Sequence, residues 1–181
     1  MKTSNNPQNL LARKWMQLAL LKLLKSRDLS EITISQLTQT AGVARVTFYR
    51  NYTDLSDVLF DYLEMSEFGL VEIGEKKFYL PSLIRSYFTF FQTHRELINC
   101  IQKHNMMTRF SDALEKQISS NLYLMVSAYG FENSYEISAL VGLFMKILTD
   151  WLQKGMQESI EEMTIIVYRI ITKFNCIAPS I

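Results

Sequence analysis

The segment Ile32–Tyr52, ITISQLTQTAGVARVTFYRNY, decides the fold of this chain. Its first half places Ile34, Leu37 and Ala41 on one face of a short helix. Gly42 then provides the permissive backbone of a tight turn, and the residues after it form a second short helix that is polar, basic and aromatic. Two helices joined by a short glycine-containing turn are typical of a helix-turn-helix, whose second helix lies in the DNA major groove.

The composition of the chain favours a helical protein with a basic head. The 181 residues are 48% hydrophobic and 20% charged, with six glycines and three prolines, and strand-like alternation is scarce. This predicts an all-α fold with a sizeable core. Residues 1–52 carry eight basic and two acidic side chains, a net charge of +6, whereas the whole chain has +1. The remainder therefore carries −5, and such a basic head indicates a nucleic-acid partner.

No catalytic or metal site is predicted. Cys100 and Cys176 lie far apart and the only histidines are His94 and His104, which supports neither a zinc site nor a disulfide framework. Because no Gly-rich phosphate loop or nucleophile elbow is present, we expect neither an enzyme nor a cofactor. The longest uncharged apolar run, residues 137–145, is shorter than the roughly 20 residues of a membrane span. With no signal peptide visible, we expect a cytoplasmic protein without membrane contact.

The first two helices have recognisable beginnings. Pro7 suits the first helical position, and Leu11, Trp15 and Leu18 recur behind it at helical spacing. Thr33 or its neighbour can cap the N-terminus of the second helix.

The third helix, about 44–51, is too short and too polar to exist for packing alone. Val46 and Tyr49 can face inward from it, while its basic side chains point elsewhere. A fourth helix follows, and Asp54 and Asp57 suit the positive N-terminal end of its dipole.

Two stretches of the chain resemble the tetracycline-repressor (TetR) family of bacterial regulators. Residues 13–63 resemble the family's N-terminal DNA-binding domain, and the string AGV-x-x-x-TFYR-x-Y carries most of that likeness. Towards the C-terminus, VGLFMKILTDWLQKGM followed by SIEEM is similar to one C-terminal subtype. The resemblance implies a three-helix DNA-binding domain at 1–52, the start of a fourth, connecting helix at 53–66, and a larger effector-binding and dimerisation domain at 67–181.

The resemblance also implies a function. The implied protein is a transcriptional regulator that binds a palindromic operator in double-stranded DNA as a homodimer. Repression is the expected direction of regulation. A small apolar or aromatic effector would release or modulate it. The alternative is a co-regulator of the same fold that acts through protein partners, with weak or no autonomous DNA binding.

The chain departs from the family pattern in three places, and the departures at Ala44, Val46 and Leu55 motivate that alternative. Asp28 stands where the family usually has Gly at the end of the first helix, and Asp tolerates the left-handed conformation better than most residues. Ala44 and Val46 replace a common Ser-x-Gly, which removes one hydroxyl and places a branched side chain near the DNA. Leu55, with Asp54 beside it, stands where a Lys often touches a phosphate.

The expected DNA contacts lie on the second and third helices. Arg45 is assigned to a base edge or the groove and Arg50 to a phosphate, while hydroxyl groups reach phosphates from the other polar positions. The alternatives are that Tyr49 belongs mainly to the core and Arg50 mainly to the solvent. The complete predicted set is Thr33, Arg45, Val46, Thr47, Tyr49 and Arg50.

The middle of the chain is rich in aromatic residues and methionine, and Met-rich linings adapt to varied apolar ligands. Such residues at helical spacing are more often core than pocket, and a lone His is more often an ordinary helix-end residue. The candidate effector-binding residues are Tyr87, Phe91, His104, Met107, Phe110 and Tyr123.

The last two helices carry long apolar stripes. Gly155 marks the end of the first, and Ser159 with Glu162 forms a capping box that opens the second. Because a single chain would struggle to bury both stripes, we expect a partner surface, and the resemblance implies a four-helix bundle between two subunits. The expected interface residues are Leu140, Phe144, Leu148, Trp151, Ile166 and Ile170.

Overall fold

The computed structural model describes residues 6–66, 79–126 and 133–175, with the backbone alone for 120–126 and 174–175. Every regular element in these ranges is helical, which confirms the predicted all-α fold. A 3-10 turn at Leu29–Glu31 follows the first α-helix. The α-helices in chain order are α1 Pro7–Leu24, α2 Ile34–Ala41, α3 Arg45–Asn51, α4 Leu55–Met65, α5 Leu80–Thr93, α6 Arg95–Lys103, α7 Met107–Val126, α8 Ser134–Gln153 and α9 Ile160–Asn175.

The chain divides into two compact units. The first contains Met1–Ser66 and Glu96–Phe110, and the second contains Glu67–Arg95 and Ser111–Ile181. The first unit therefore includes most of α6 in addition to α1 to α4, an addition that the sequence did not indicate. The predicted functional boundary after residue 66 stays a prediction.

Local side-chain bonds explain where the helices begin. The Asn6 side chain accepts a hydrogen bond from the backbone N–H of Gln8 at 3.1 Å, with Pro7 as the first residue of α1. Thr33 caps α2 and exchanges bonds with Gln36 in a capping box, at 3.2 and 2.9 Å. Both predicted beginnings are confirmed, because each depends on residues only two or three positions apart.

The turn between α2 and α3 depends on a left-handed glycine. Gly42 has a φ of 68°, a conformation that costs little without a Cβ. Its N–H donates to the carbonyl of Gln39 at 3.2 Å, and the N–H of Val43 donates to Thr38 at 3.0 Å. This pair of bonds is a Schellman motif, which ends α2 and redirects the chain into α3.

The core of the second unit is built on aromatic rings. Phe88 and Trp151 meet edge to face with centroids 5.0 Å apart, and Tyr87 and Phe144 do so at 5.2 Å. The indole N–H of Trp151 donates to the carbonyl of Glu158 at 3.0 Å, so the buried ring leaves no donor unsatisfied. Contacts of α9 with α5 and α8 enclose this core.

The described residues contain no group of three or more His, Cys, Asp or Glu side chains arranged to hold a metal ion. Burial raises the pKa of the Cys100 thiol to about 11, so the thiol is protonated at neutral pH. Among the described helices, none is long and apolar enough to cross a membrane.

Candidate DNA-binding surface

The recognition helix α3 has one inward side chain, Phe48, which is completely buried. Its ring packs edge to face against Tyr49 and tilted against Tyr52, with centroids 5.4 and 5.6 Å away. Val46 and Tyr49 are 54% and 49% exposed. The expectation that these two face inward is wrong, because Phe48 takes the inward position of α3 and leaves both of them on the exposed side.

The outward face of α3 is basic and aromatic. Arg45, Val46, Tyr49 and Arg50 are all exposed, while Thr47 is half-buried. The Arg45 guanidinium donates a hydrogen bond to the Tyr49 hydroxyl at 3.4 Å, one helical turn further on. The structure therefore brings five of the six predicted contact residues together on one short helix, and four of them stand in solvent.

The sixth predicted residue, Thr33, lies exposed at the N-terminus of α2. Its hydroxyl oxygen accepts the backbone N–H of Gln36, so its own hydrogen can still be donated. An exposed helix N-terminus with a hydroxyl donor is suited to bind an anion such as a phosphate.

The C-terminal end of α3 is fastened to α1 by two side-chain amides. Asn9 and Asn51 donate to each other, both bonds measuring 2.9 Å, and Asn51 also donates to the carbonyl of Thr47 at 2.8 Å. This contact joins residues 42 positions apart, and no local pattern of the sequence indicates it.

The Asp61 carboxylate on α4 links α4 to α1 and to the end of α3 in the first unit. Asp61 accepts hydrogen bonds from Gln17 at 2.7 Å, from the Tyr52 hydroxyl at 2.5 Å and from Arg13 at 3.0 Å. The side chains of Arg13 and Asp61 are 11% and 10% exposed. The hydrogen bond to Asp61 raises the pKa of Arg13, and burial raises that of Tyr52. Arg13, one of the eight basic residues at positions 1–52, is therefore neutralised internally and does not add to the exposed positive charge.

The N-termini of α3 and α4 differ in their caps. Ala44 stands at the N-cap of α3 with no side-chain hydrogen bond. Asp54 caps α4, where its carboxylate accepts the N–H groups of Ser56 and Asp57 at 2.7 and 3.1 Å. Leu55 is the first residue of that helix. Because Ala44 has no hydroxyl, the N-terminus of α3 has no side-chain cap. Asp54, beside Leu55, caps the N-terminus of α4.

Arg109, at the start of α7, was missed as a partner of the α4 N-terminus. Its guanidinium donates to Asp57 at 2.8 Å and to the Ser56 hydroxyl at 3.1 Å, and lies 4.1 Å from the centre of the Phe60 ring. Within the first unit it therefore offsets one of the two negative charges beside the recognition helix.

Asp28 does not adopt the left-handed backbone expected from its place at the end of α1. Its φ and ψ are −73° and 149°, an extended conformation, and it caps the 3-10 turn by accepting from Ser30 at 3.0 Å. Lys103 pairs with the same carboxylate, and His104 lies 3.0 Å from it. The expectation was wrong because the side chain bonds to the turn that follows it.

A family model described as a transcriptional regulator C-terminal region, of the TetR group, matches residues 80–173, more than half of the chain. The chain belongs to the TetR family of transcriptional regulators. No curated protein sequence gives a significant match.

Solved structures of regulatory proteins share the fold. The dihydroxyacetone kinase operon activator DhaS superposes with a TM-score of 0.71 at 15% identity, over 91% of this chain and 96% of its own. A TetR regulator from Rhodococcus sp. RHA1 gives 0.57 at 16% identity, over 87% and 93%. NalD, the secondary repressor of the MexAB-OprM multidrug efflux pump in Pseudomonas aeruginosa, gives 0.51 at 11% identity, over 92% and 96%.

TetR regulators bind DNA and usually dimerise, and they are generally not enzymes. The structure places four of the six residues predicted for the subunit interface inside a single chain. Leu140, Phe144, Leu148 and Trp151 are 5%, 5%, 0% and 1% exposed. The chain therefore buries the α8 stripe by itself, with Tyr87 and Phe88 of α5 packed against Phe144 and Trp151, and the predicted interface stays a prediction.

The two interface residues from α9 are placed differently. Ile166 is 42% exposed and Ile170 is half-buried, while Val167 and Ile171 fill the inward face of the same helix. In this TetR chain, the outward face of α9 is therefore accessible to a partner, whereas its inward face is buried in the core.

The predicted effector residues are divided between the two units. Tyr87 and Phe91 in the second unit and Phe110 in the first are buried, with exposures of 2%, 0% and 0%. His104 is bonded to Asp28, and Met107 is half-buried in the first unit. The Tyr123 side chain lies outside the described residues.

Among the described candidates, Tyr87 borders a small cavity of the second unit. That cavity measures about 20 Å³ and is lined by Leu80, Leu83, Ile84, Tyr87, Ile118, Leu140, Phe144 and Ile171. Its lining is apolar apart from the Tyr87 hydroxyl, and its volume accommodates no more than about one water molecule.

Proposed function

We propose that this TetR chain binds a palindromic DNA operator through α3 and regulates transcription in the cytoplasm. The observation that carries the proposal is the exposed face of α3, where Arg45, Tyr49 and Arg50 project from a helix fastened by Phe48 and Asn51. Arginine reads a guanine edge through two hydrogen bonds or binds a phosphate. A rigidly held helix with such side chains is suited to the major groove.

The test is a titration with DNA from the region upstream of the chain's own gene. Specific binding should weaken steeply as salt rises, since each neutralised phosphate releases counterions. A duplex of scrambled sequence is the control. Equal affinity for both duplexes, or no binding at low salt, would overturn the proposal.

We propose further that two copies associate through the outward faces of α8 and α9. Ile165 and Ile166 are 53% and 42% exposed on α9. On α8, Gly142 is exposed, and a Cβ added to it would meet nothing within 4 Å. A glycine inside a helix costs about 1 kcal/mol relative to alanine, and a flat surface there allows a second helix to approach closely. A dimer would place two α3 helices about 34–36 Å apart, one turn of DNA.

Sedimentation of purified protein tests the dimer. Ile166→Glu should shift the dimer towards monomer, because a charge would be buried in an apolar contact. Thr89→Glu, at an exposed position of α5 outside the two interface helices, is the matched control and should leave the mass unchanged. A wild-type monomer at micromolar concentration would exclude this interface.

An apolar effector is proposed to enter the second unit beside Tyr87. The small cavity there has an apolar lining, but ligand pockets usually measure about 300 Å³ or more. Binding would therefore have to open the packing between α5 and α9. Titration with hydrophobic compounds should raise the melting temperature of the wild type, and Ile84→Trp, which fills the cavity, should abolish that rise.

The direction of regulation is proposed as repression, and the structural likenesses do not decide it. The same fold occurs in DhaS, an operon activator, and in NalD, a repressor. A reporter gene placed downstream of the bound DNA distinguishes repression from activation. Higher expression after deletion of the chain's gene would support repression.

The second candidate is a co-regulator that keeps the fold and acts through a protein partner. The uncapped Ala44 and the acidic Asp54 beside the recognition helix favour it, because both weaken the attraction of this surface for phosphate. A protein that binds no DNA at low salt and forms a stable complex with another regulator would support this candidate.

A further inference from the structure

The helix α1 has an outward row of large apolar side chains that no part of the head covers. Leu11, Trp15 and Leu18 are 47%, 45% and 51% exposed. They follow each other at steps of four and three residues, and the same steps continue to Lys22 and Lys25. Such 4-3 spacing is the seam along which two helices pack, so the seam of α1 is apolar in its first half and basic in its second.

A groove runs beside this row within the first unit. It measures about 430 Å³ and lies between Trp15, Leu18, Ala19 and Lys22 of α1 and the end of α2 at Thr40, Ala41 and Gly42. A Cβ added to Gly42 would meet nothing within 4 Å. Trp15 and Leu18 of the row therefore border an open, shallow groove.

The charges around the groove have one sign. Lys14, Lys22 and Lys25 are exposed, and α1 contains no acidic residue. In the described part of the chain, none of the three forms an ion pair. Arg13, by contrast, points the other way and is paired with Asp61. The apolar row is thus bordered by positive charges that have no internal partner.

We propose that this face of α1 docks an acidic amphipathic helix of a different protein. Leucine and tryptophan at seam spacing match an apolar helix face, and tryptophan is enriched among the residues that dominate binding energy at protein interfaces. The lysines select acidic residues beside that face. DNA would leave Leu11 and Leu18 without apolar contacts. This docking goes beyond the proposed function, since operator contacts lie on α3.

A peptide probe tests the chemistry of the surface. A labelled helical peptide with leucines at three- and four-residue steps and flanking glutamates should bind the full chain with a dissociation constant of about 100 µM or lower. The same peptide with lysines in place of the glutamates should bind about tenfold more weakly or worse. Equal binding of both peptides, or no binding of the acidic one at millimolar concentration, would overturn the proposal.

Charge reversal on the protein locates the site. The double variant Lys14→Glu, Lys22→Glu alters two exposed side chains without ion partners, so the fold should persist by circular dichroism. It should lose the acidic peptide and retain the thermal stability of the wild type. Lys154→Glu, an exposed position in the second unit, is the matched control and should bind as the wild type does.

Other occupants of the groove are separate outcomes of the same set of measurements. Binding of the wild type to phosphatidylserine vesicles, abolished by the double variant, would replace the peptide proposal with a membrane surface. A change of sedimenting mass in Trp15→Glu would replace it with a second copy of this chain. A photoreactive residue introduced at position 18 of the chain, expressed in the source cell, should cross-link to an acidic amphipathic segment of another protein. Cross-links confined to DNA, to lipid or to this chain itself would refute the proposal.

Discussion

The side-chain amides of Asn9 and Asn51 face each other and exchange two hydrogen bonds of 2.9 Å. Each amide presents one donor and one acceptor to the other, so the pair is fully complementary. Asn51 is the last residue of the recognition helix, and Asn9 lies in the first turn of α1. The pair therefore determines the direction in which α3 presents Arg45 and Tyr49.

Breaking this pair should affect DNA recognition more than stability. We expect Asn51→Ala to cost about 1–2 kcal/mol of unfolding free energy and to weaken specific more than non-specific DNA binding, because α3 loses its fixed orientation. Urea unfolding and titration with specific and scrambled duplexes measure the two effects. In a double-mutant cycle with Asn9→Ala, the two costs should not add, and simple additivity would show that the pair does not act as a unit.

The Asp61 cluster should be the most sensitive electrostatic contact of the head. Asp61→Asn removes the charge that neutralises Arg13, and leaving one partner of a nearly buried pair alone costs about 3–5 kcal/mol. Chemical denaturation measures this loss. Asp150→Asn is the matched control, since the Lys146–Asp150 pair is 75% and 40% exposed and is worth at most about 1 kcal/mol. Equal costs for the two substitutions would contradict the role of burial.

The empty cap at Ala44 offers a gain-of-function test. Ala44→Ser should stabilise the protein by about 0.5–1 kcal/mol, because the hydroxyl can accept an orphan N–H of the first turn of α3. It should also tighten DNA binding if α3 contacts phosphate there. Thermal unfolding and the salt-controlled titration check both effects. Ala139→Ser, at an exposed position inside α8, fills no cap and should not stabilise.

The bonds of Asp28 predict a loss of stability in acid. The hydrogen bond from Lys103, followed by those from Ser30, lowers the pKa of Asp28 in the folded protein. A lowered pKa means that its contribution is complete above the unfolded pKa of about 3.9 and disappears as the pH falls towards the folded value. Urea midpoints between pH 7 and pH 2 should fall less for Asp28→Asn than for the wild type, and parallel curves would refute this.

Arg45 should contribute specificity at the operator. Arg45→Ala is expected to cost about 1–3 kcal/mol of specific binding and to relax the base preference at one position of each half-site. Tyr49→Phe removes only the hydroxyl that accepts from Arg45 at 3.4 Å, so its effect should be smaller. Titration of single-base operator variants at fixed salt measures both, and an Arg45→Ala protein with unchanged affinity would exclude the assigned role.

Helix ends could be predicted from the sequence, and side-chain directions only in part. The caps at Asn6, Thr33 and Ser159 involve neighbours two or three residues away, and the Ser159–Glu162 bond is present at 2.8 Å as predicted. The inward face of α1 could not be predicted as well. Met16 and Leu20 fill it, while Trp15 is exposed, because both faces of that helix are apolar and only tertiary packing chooses between them.

The site shows the same division between local and distant contacts. The clustering of the predicted residues on α3 follows from their spacing along one helix. The pairs Arg13–Asp61 and Arg109–Asp57 join residues separated by 48 and 52 positions, and charge patterns alone do not pair such residues. The inward direction of the α8 stripe could not be predicted for a related reason, since Phe88 and Tyr87 of α5, more than 50 positions earlier in the chain, pack against Phe144.

The two tryptophans make the units of this chain separately visible. Trp15 lies in the first unit with 45% of its surface in solvent, and Trp151 lies in the second at 1%. Iodide should quench the first strongly, because Trp15 is exposed and shares a groove with Lys22, and the second hardly at all. Tryptophan emission recorded with and without iodide during unfolding would therefore follow the first and the second unit separately. One sample suffices, and neither a label nor a truncated chain is needed.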